Sequence, residues 1–159
     1  MVVDQNFPKV KKYFLLIIFF ILFPLKSFSN NYKLTKIIEL DEPWGSSFIN
    51  KDEIIITEKN GKIKIVNIYS QEILEVQHNL NFLNVGQGGL LDIIHKDKYL
   101  WISYSEDRGD SKTSTSISRA KLNKKKLDFK NIFQAEPPIE SGYHFGSRLA
   151  IKGNYLFAS

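Results

Sequence analysis

The chain has no cysteine among its 159 residues, and that absence excludes several things at once. No disulfide framework staples it and no thiolate ligates a metal. A lipoprotein anchor, which needs a cysteine just after the apolar core of the leader, is ruled out. An exported protein without disulfides stands on its core alone, which suits a large β architecture better than a small stapled domain. Histidine is scarce, at three residues, and no histidine–carboxylate cluster has metal-ligand spacing. Gly-x-Ser-x-Gly does not occur. The Gly-Gln-Gly-Gly run at 86–89 is no phosphate loop, because no Lys-Ser/Thr follows it and no helix begins there. A basic stripe with interleaved aromatics is also missing, so nucleic acid is not an expected partner.

What is present begins with a leader. Lys9, Lys11 and Lys12 precede an unbroken apolar run at 14–23, and Pro24 breaks it. Ser27-Phe28-Ser29 then puts small residues where a signal peptidase reads. A membrane-spanning helix needs about 20 apolar residues, roughly twice this run. Residues 1–29 are therefore expected to be a helical signal peptide, cleaved after Ser29, with an uncleaved membrane anchor as the alternative. The mature chain is expected in a bacterial periplasm or secreted, touching a membrane only through the leader. The formal charge of +5 includes four leader lysines against Asp4, so the remainder carries +2.

Beyond Asn30 everything reads as strand. Short runs rich in Ile, Val, Tyr and Phe, punctuated by Asn, Gly, Asp and Lys, lie at 33–40, 53–57, 62–67, 71–76, 90–94, 99–104, 115–122, 127–133, 148–151 and 155–157. Asn60-Gly61 predicts a tight hairpin with positive φ at both central residues. Lys124-Lys125-Lys126 reads as a solvated hairpin turn. An imperfect repeat aligns Ile49-Asn50-Lys51 with Ile94-His95-Lys96 at an offset of 45, and Lys96 with Lys152 at 56. Short strands recurring at this period predict propeller blades rather than a sandwich. About two and a half units are present in 32–159, the third beginning near Arg148. Such a set cannot close a ring, so either the chain is the front part of a longer protein or another polypeptide supplies the rest.

Three side chains stand out as chemistry. His144, in Ser-Gly-Tyr-His-Phe-Gly-Ser-Arg-Leu at 141–149, sits on a loop entering a strand. Its imidazole either accepts a hydroxyl proton near neutral pH or satisfies loop carbonyls. Gln87, between Gly86 and Gly88, either offers a carboxamide to sugar hydroxyls or faces water beside a β-bulge. Arg148 either clamps an anion or closes a structural salt bridge. Trp44 and Trp101 read as packing between blades. His78 and His95 fall in polar turns and are assigned to the surface.

Pro43-Trp44-Gly45, Thr57-Glu58 followed by Gly61-Lys62-Ile63, the Gly-Gln-Gly-Gly-Leu-Leu-Asp run at 86–92, and His144-Phe145-Gly146-Ser147-Arg148-Leu149 occur in this order. Together they resemble the glucose/sorbosone dehydrogenase family, soluble quinoprotein aldose dehydrogenases, from about Leu40 to the last residue. The resemblance implies an all-β, six-bladed β-propeller that oxidises aldose sugars at the anomeric carbon with pyrroloquinoline quinone (PQQ) and calcium and passes electrons to an external acceptor. It implies that His144 is the general base and that Gln87 hydrogen-bonds substrate. Tyr143 departs from the polar residue common before that histidine, which bears on sugar preference. The family's cofactor clamps and calcium-binding carbonyls come from later blades, so by itself this chain is expected to bind no quinone and turn over no sugar. A non-enzymatic binding propeller on the same scaffold is the competing expectation.

Overall fold

The computed structural model describes residues 32–159. The leader expected at 1–29 lies outside the described residues. All regular structure among the described residues is β. The strands are β1 (Pro43–Phe48), β2 (Glu53–Glu58), β3 (Ile63–Asn67), β4 (Ile73–Glu75), β5 (Gln77–His78), β6 (Leu90–Lys96), β7 (Tyr99–Asp107), β8 (Thr113–Lys121), β9 (Lys126–Leu127), β10 (Lys130–Gln134), β11 (Leu149–Lys152) and β12 (Tyr155–Ala158).

They form two four-stranded antiparallel sheets, ordered β1-β2-β3-β4 and β6-β7-β8-β10, followed by the hairpin β11-β12. The sequence repeat marks the same place in each unit. Lys51 lies in the turn joining the first two strands of its sheet, and Lys96 and Lys152 end the first strands of theirs. Short antiparallel neighbours need only a tight turn, and Asn, Asp and Gly supply it each time.

β7 shows how alternation builds the interior. Leu100, Ile102 and Tyr104 are buried on one face and join Ile55, Ile63, Ile65, Leu90 and Ile93 in a core shared by the two sheets. Each such fully buried aliphatic side chain contributes about 1.5–3 kcal/mol. The other face carries Trp101, Ser103 and Ser105, and the two serines are buried. A strand buried on both faces must lie between two neighbours, here the first sheet and the β11-β12 hairpin.

Hydroxyl groups join the units. Thr57 on β2 accepts the Gly45 N–H at 2.9 Å and donates to the Leu91 carbonyl on β6 at 2.5 Å. Ser103 on β7 accepts the Asp92 N–H at 3.1 Å and donates to the Ser147 carbonyl, just ahead of β11, at 2.6 Å. In both cases a second-strand hydroxyl bridges the first strand of its own sheet to the backbone of the next unit, on its first strand at Leu91 and just ahead of it at Ser147. Gly45 lies so close to β6 that a Cβ there would sit 2.7 Å from the Leu91 carbonyl oxygen and Asp92 Cα. Beside Thr57, Glu58 is fully buried, with Oε1 accepting from Lys64 Nζ at 2.7 Å and from the Asp41 N–H at 2.8 Å.

Several expectations are corrected. Residues 33–40 form no strand, because no neighbour pairs with them and Leu34 is 98% exposed. The first strand is instead β1, which carries Pro43-Trp44-Gly45 and pairs Pro43 with Glu58. Trp44 is not packed between sheets but 45% exposed. The run at 127–133 divides into β9 and β10, because the core takes Phe129 while Asn79 accepts its N–H at 2.7 Å and donates to its carbonyl at 3.1 Å. β9 pairs in parallel with β5, tying the two sheets. At Asn60-Gly61 positive φ is confined to Gly61, at 104°. The Gly61 N–H closes a four-residue turn on the Glu58 carbonyl at 3.0 Å, so the hairpin forms with a longer loop geometry.

Two tests follow from these ties. Thr57→Val keeps the shape but strips partners from two buried backbone groups, and is expected to cost about 1–3 kcal/mol in denaturant unfolding, with Thr57→Ser closer to the parent. Glu53 receives Lys124 Nζ at 2.7 Å, and this bond, with that from Asn50, holds its carboxyl below the ordinary 4.5. A depressed carboxyl stabilises the fold above its unfolded value and loses that contribution as pH falls through the folded one. Lys124→Met is therefore expected to destabilise by less than about 1 kcal/mol at neutral pH, with the difference vanishing as pH drops below 4.5.

Candidate functional site

Two connecting segments meet at one end of the second sheet: the turn leading into β6 and the long connection from β10 to β11. The turn is held from within. Ser105 Oγ accepts the Gly89 N–H at 2.6 Å and donates to the Leu83 carbonyl at 2.7 Å. Gly86 has φ 57°, and a Cβ there would run into the Gly142 carbonyl oxygen. Only glycine satisfies both the left-handed backbone and this close approach. The Gln87 N–H donates to that same Gly142 carbonyl at 2.7 Å. A register shift between Leu90 and Ile93 then bulges the start of β6.

The β10–β11 connection is gripped from β8. Thr113 Oγ1 donates to the Ser141 carbonyl at 3.0 Å, and Thr115 Oγ1 donates to the Phe145 carbonyl at 2.6 Å. Thr113, Thr115 and Ile117 alternate with Ser114, Ser116 and Ser118 along this strand. One row anchors the connection while Ser116 turns to Glu106 at 2.6 Å.

On this seam His144 and Gln87 are neighbours. The His144 N–H donates to Gln87 Oε1 at 3.1 Å, across 57 positions of sequence. Both residues are exposed. His144 has φ 64°, a left-handed conformation that costs a non-glycine residue about 1–3 kcal/mol and persists only under external restraint. Its ring lies 6.3 Å from that of Tyr143, itself 61% exposed. His144, Phe145 and Gly146 line a shallow depression of ≈ 310 Å³ with Thr115, Ile117 and Phe133. A second depression of ≈ 460 Å³ is lined by Leu83, Val85, Ser111, Glu140 and Gly142.

Arg148, left open between an anion clamp and a salt bridge, here pairs with Asp92 at 3.5 Å while its side chain stays 77% exposed. Asp92 went unnoticed as a site residue. It is 3% exposed, and its Oδ2 accepts the Leu149 N–H at 2.8 Å. The other histidines are corrected. His78 lies in β5 with Nε2 2.7 Å from the Gly61 carbonyl and Nδ1 accepting the Leu80 N–H at 3.2 Å. His95 lies in β6, partly buried, and its N–H donates to Ser47 Oγ at 3.0 Å. Lys124 and Lys125 are exposed in a bend, whereas Lys126, expected in the same hairpin turn, begins β9, which pairs with β5 rather than with β8. Among the described residues no group of three or more His, Cys, Asp or Glu side chains is placed to hold a metal ion.

Residues 40–159 match the family model described as Glucose / Sorbosone dehydrogenase. The aldose sugar dehydrogenase YliI of Escherichia coli (strain K12) is 30% identical over 129 residues, covering 75% of this chain and 35% of that protein. An uncharacterized protein of Synechocystis sp. is 30% identical over 127 residues, covering 69% and 30%. Among solved structures, the apo-form of the soluble aldose sugar dehydrogenase from Escherichia coli aligns with a TM-score of 0.69 at 30% identity, over 76% of this chain and 38% of that one. The PQQ-bound aldose sugar dehydrogenase from Streptomyces coelicolor shares the fold, with a TM-score of 0.59 at 19% identity, over 70% and 35%. The chain spans about a third of the length of the curated relatives it matches.

Gly86→Ala tests the seam. The added methyl meets backbone rather than a flexible side chain, so the variant is expected to unfold several degrees lower. It is also expected to lose the hydrogen-exchange protection of the Gln87 amide while the β6–β7 pairs stay protected.

Proposed function

Because the chain belongs to the glucose/sorbosone dehydrogenase family, we propose that its seam forms the sugar-facing wall of a quinoprotein aldose dehydrogenase. In this reading the two four-stranded sheets and the hairpin are consecutive sectors of a six-bladed β-propeller. Residues 1–29 direct export and are removed after Ser29, leaving the chain from Asn30 onward in the periplasm or outside the cell.

The observation that carries the reading is the meeting of His144 and Gln87 on one exposed seam, through a 3.1 Å bond between a side-chain oxygen and a backbone N–H. An aldose presents a hemiacetal carbon bearing one acidic hydroxyl and one transferable hydrogen. His144 takes the hydroxyl proton, which raises electron density on the anomeric oxygen and favours departure of the C–H hydrogen with its electron pair. The carbon becomes a lactone carbonyl. The Gln87 carboxamide nitrogen, not engaged by the bond to His144, donates to a sugar hydroxyl. Tyr143, exposed beside the imidazole, bears on which sugars fit.

The donor set of the seam consists of an imidazole, a carboxamide, hydroxyls and backbone amides. It fits a polyol and does not fit a metal-bound tricarboxylate. No metal-holding cluster occurs among the described residues, and the Arg148 guanidinium is turned to Asp92. In this reading pyrroloquinoline quinone with calcium lies outside this seam, where it would supply the acceptor for the hydride that leaves the anomeric carbon, and the external electron acceptor lies outside it too.

The test is dye-linked aldose oxidation by the full-length protein supplied with quinone and calcium. His144→Ala is expected to lower kcat by about 10²–10⁴-fold, the usual contribution of a positioned base. Unchanged turnover in that variant contradicts the assignment.

A further inference from the structure

We propose that Gln87 and Asp92 act as a two-point splint that sets the pose of His144, a positioning role distinct from contact with substrate. The inference rests on the reading of His144 as the base. Gln87 and Asp92 are five residues apart and grip amides five residues apart. Gln87 Oε1 takes the His144 N–H at 3.1 Å and Asp92 Oδ2 takes the Leu149 N–H at 2.8 Å, both across 57 positions. The two segments thus run in fixed register although they belong to different units of the repeat.

The loop between these points needs such restraint. His144 at φ 64° and Ser147 at φ 140° are both non-glycine residues in the left-handed region, which a free loop leaves. Further grips act on the same stretch from the second sheet, Thr115 on the Phe145 carbonyl at 2.6 Å and Ser103 on the Ser147 carbonyl at 2.6 Å. Asp92 is itself fixed, since its N–H donates to Ser103 Oγ at 3.1 Å and its Oδ1 accepts the Ile93 N–H at 3.0 Å. Buried at 3% exposure, it cannot swing away without leaving a carboxylate unpaired. The direction of the imidazole is therefore set through the main chain by the Gly-Gln-Gly-Gly-Leu-Leu-Asp run. This explains why the carboxamide and the carboxylate stand at those two places in it.

The experiment measures amide hydrogen exchange at His144 and Leu149 by NMR in the full-length protein, alongside kcat and KM. Gln87→Leu is expected to speed exchange at His144 by about tenfold or more and Asp92→Leu to do so at Leu149. Gln87→Glu, which keeps an acceptor oxygen, is expected to retain the protection at His144, and Asp92→Asn, with one acceptor oxygen left for two amides, to lose it at either Leu149 or Ile93. They also keep the test decisive if a leucine variant fails to fold. In the leucine variants kcat is expected to fall about tenfold or more while KM moves less. Unaltered exchange at the matching amide overturns the splint, as does equal exchange in the Glu and Leu variants of Gln87. A raised KM with intact kcat in Gln87→Leu returns Gln87 to substrate contact alone and overturns its positioning role. The exchange readout needs no turnover. A protein that oxidises no aldose defeats the catalytic reading of His144, while the two amides still decide the splint.

Discussion

Everything in this chain depends on one small device, a buried hydroxyl on the second strand of a sheet that reaches both the first strand of its own sheet and the backbone of the next unit. Thr57 makes this bridge from the first sheet to the second, and Ser103 makes it from the second to the loop before β11. Apolar packing holds the two sheets face to face through Ile55, Ile63, Ile93 and Ile102, but such packing is non-directional. It brings sheets together without choosing a register. A hydroxyl that donates to one carbonyl and accepts one N–H does choose it, and does so in a dry interior where an unmade bond is costly.

The seam inherits this precision. Ser103 Oγ fixes both Asp92 and the Ser147 carbonyl, and Asp92 in turn fixes the Leu149 N–H. Gln87 and Thr115 complete the hold on the loop. A glycine-lined turn and a strained histidine loop are each unremarkable alone. Locked together on the edge of a rigid sheet, they bring the His144 backbone against the Gln87 carboxamide in an exposed position. A hydrogen-bonding site for a polyol needs that combination of rigid backbone and open approach.

Much of this is legible in the sequence. Alternation along Tyr99–Asp107 marks a strand because the pleat sends neighbours to opposite faces, and the β-branched run Ile54-Ile55-Ile56-Thr57 marks another. The pattern failed where pairing, not composition, decides. Residues 33–40 have a strand-like composition but no partner strand, whereas Pro43–Phe48, with a proline, a glycine and two serines, is a strand because β2 pairs with it. Phe129 reads as part of a continuous strand because nothing local reveals that Asn79 holds its backbone. At the site, His144 and Gln87 stood out through their glycine neighbours. Asp92, Ser103 and Thr115 did not, because each acts on a backbone group far away in sequence, and a bond to backbone leaves no mark on its partner's identity. The hydroxyl-rich run at 113–118 was the one available signal of the grip from β8.

The most direct test of the account is an experimental electron-density map of the full-length protein at a resolution that fixes side-chain oxygens. Ser103 Oγ is expected within hydrogen-bonding distance of both the Asp92 amide and the Ser147 carbonyl, with the Gln87 carboxamide against the His144 amide. A map that places His144 and Gln87 on separate surfaces, or turns Ser103 away from the loop before β11, would contradict it.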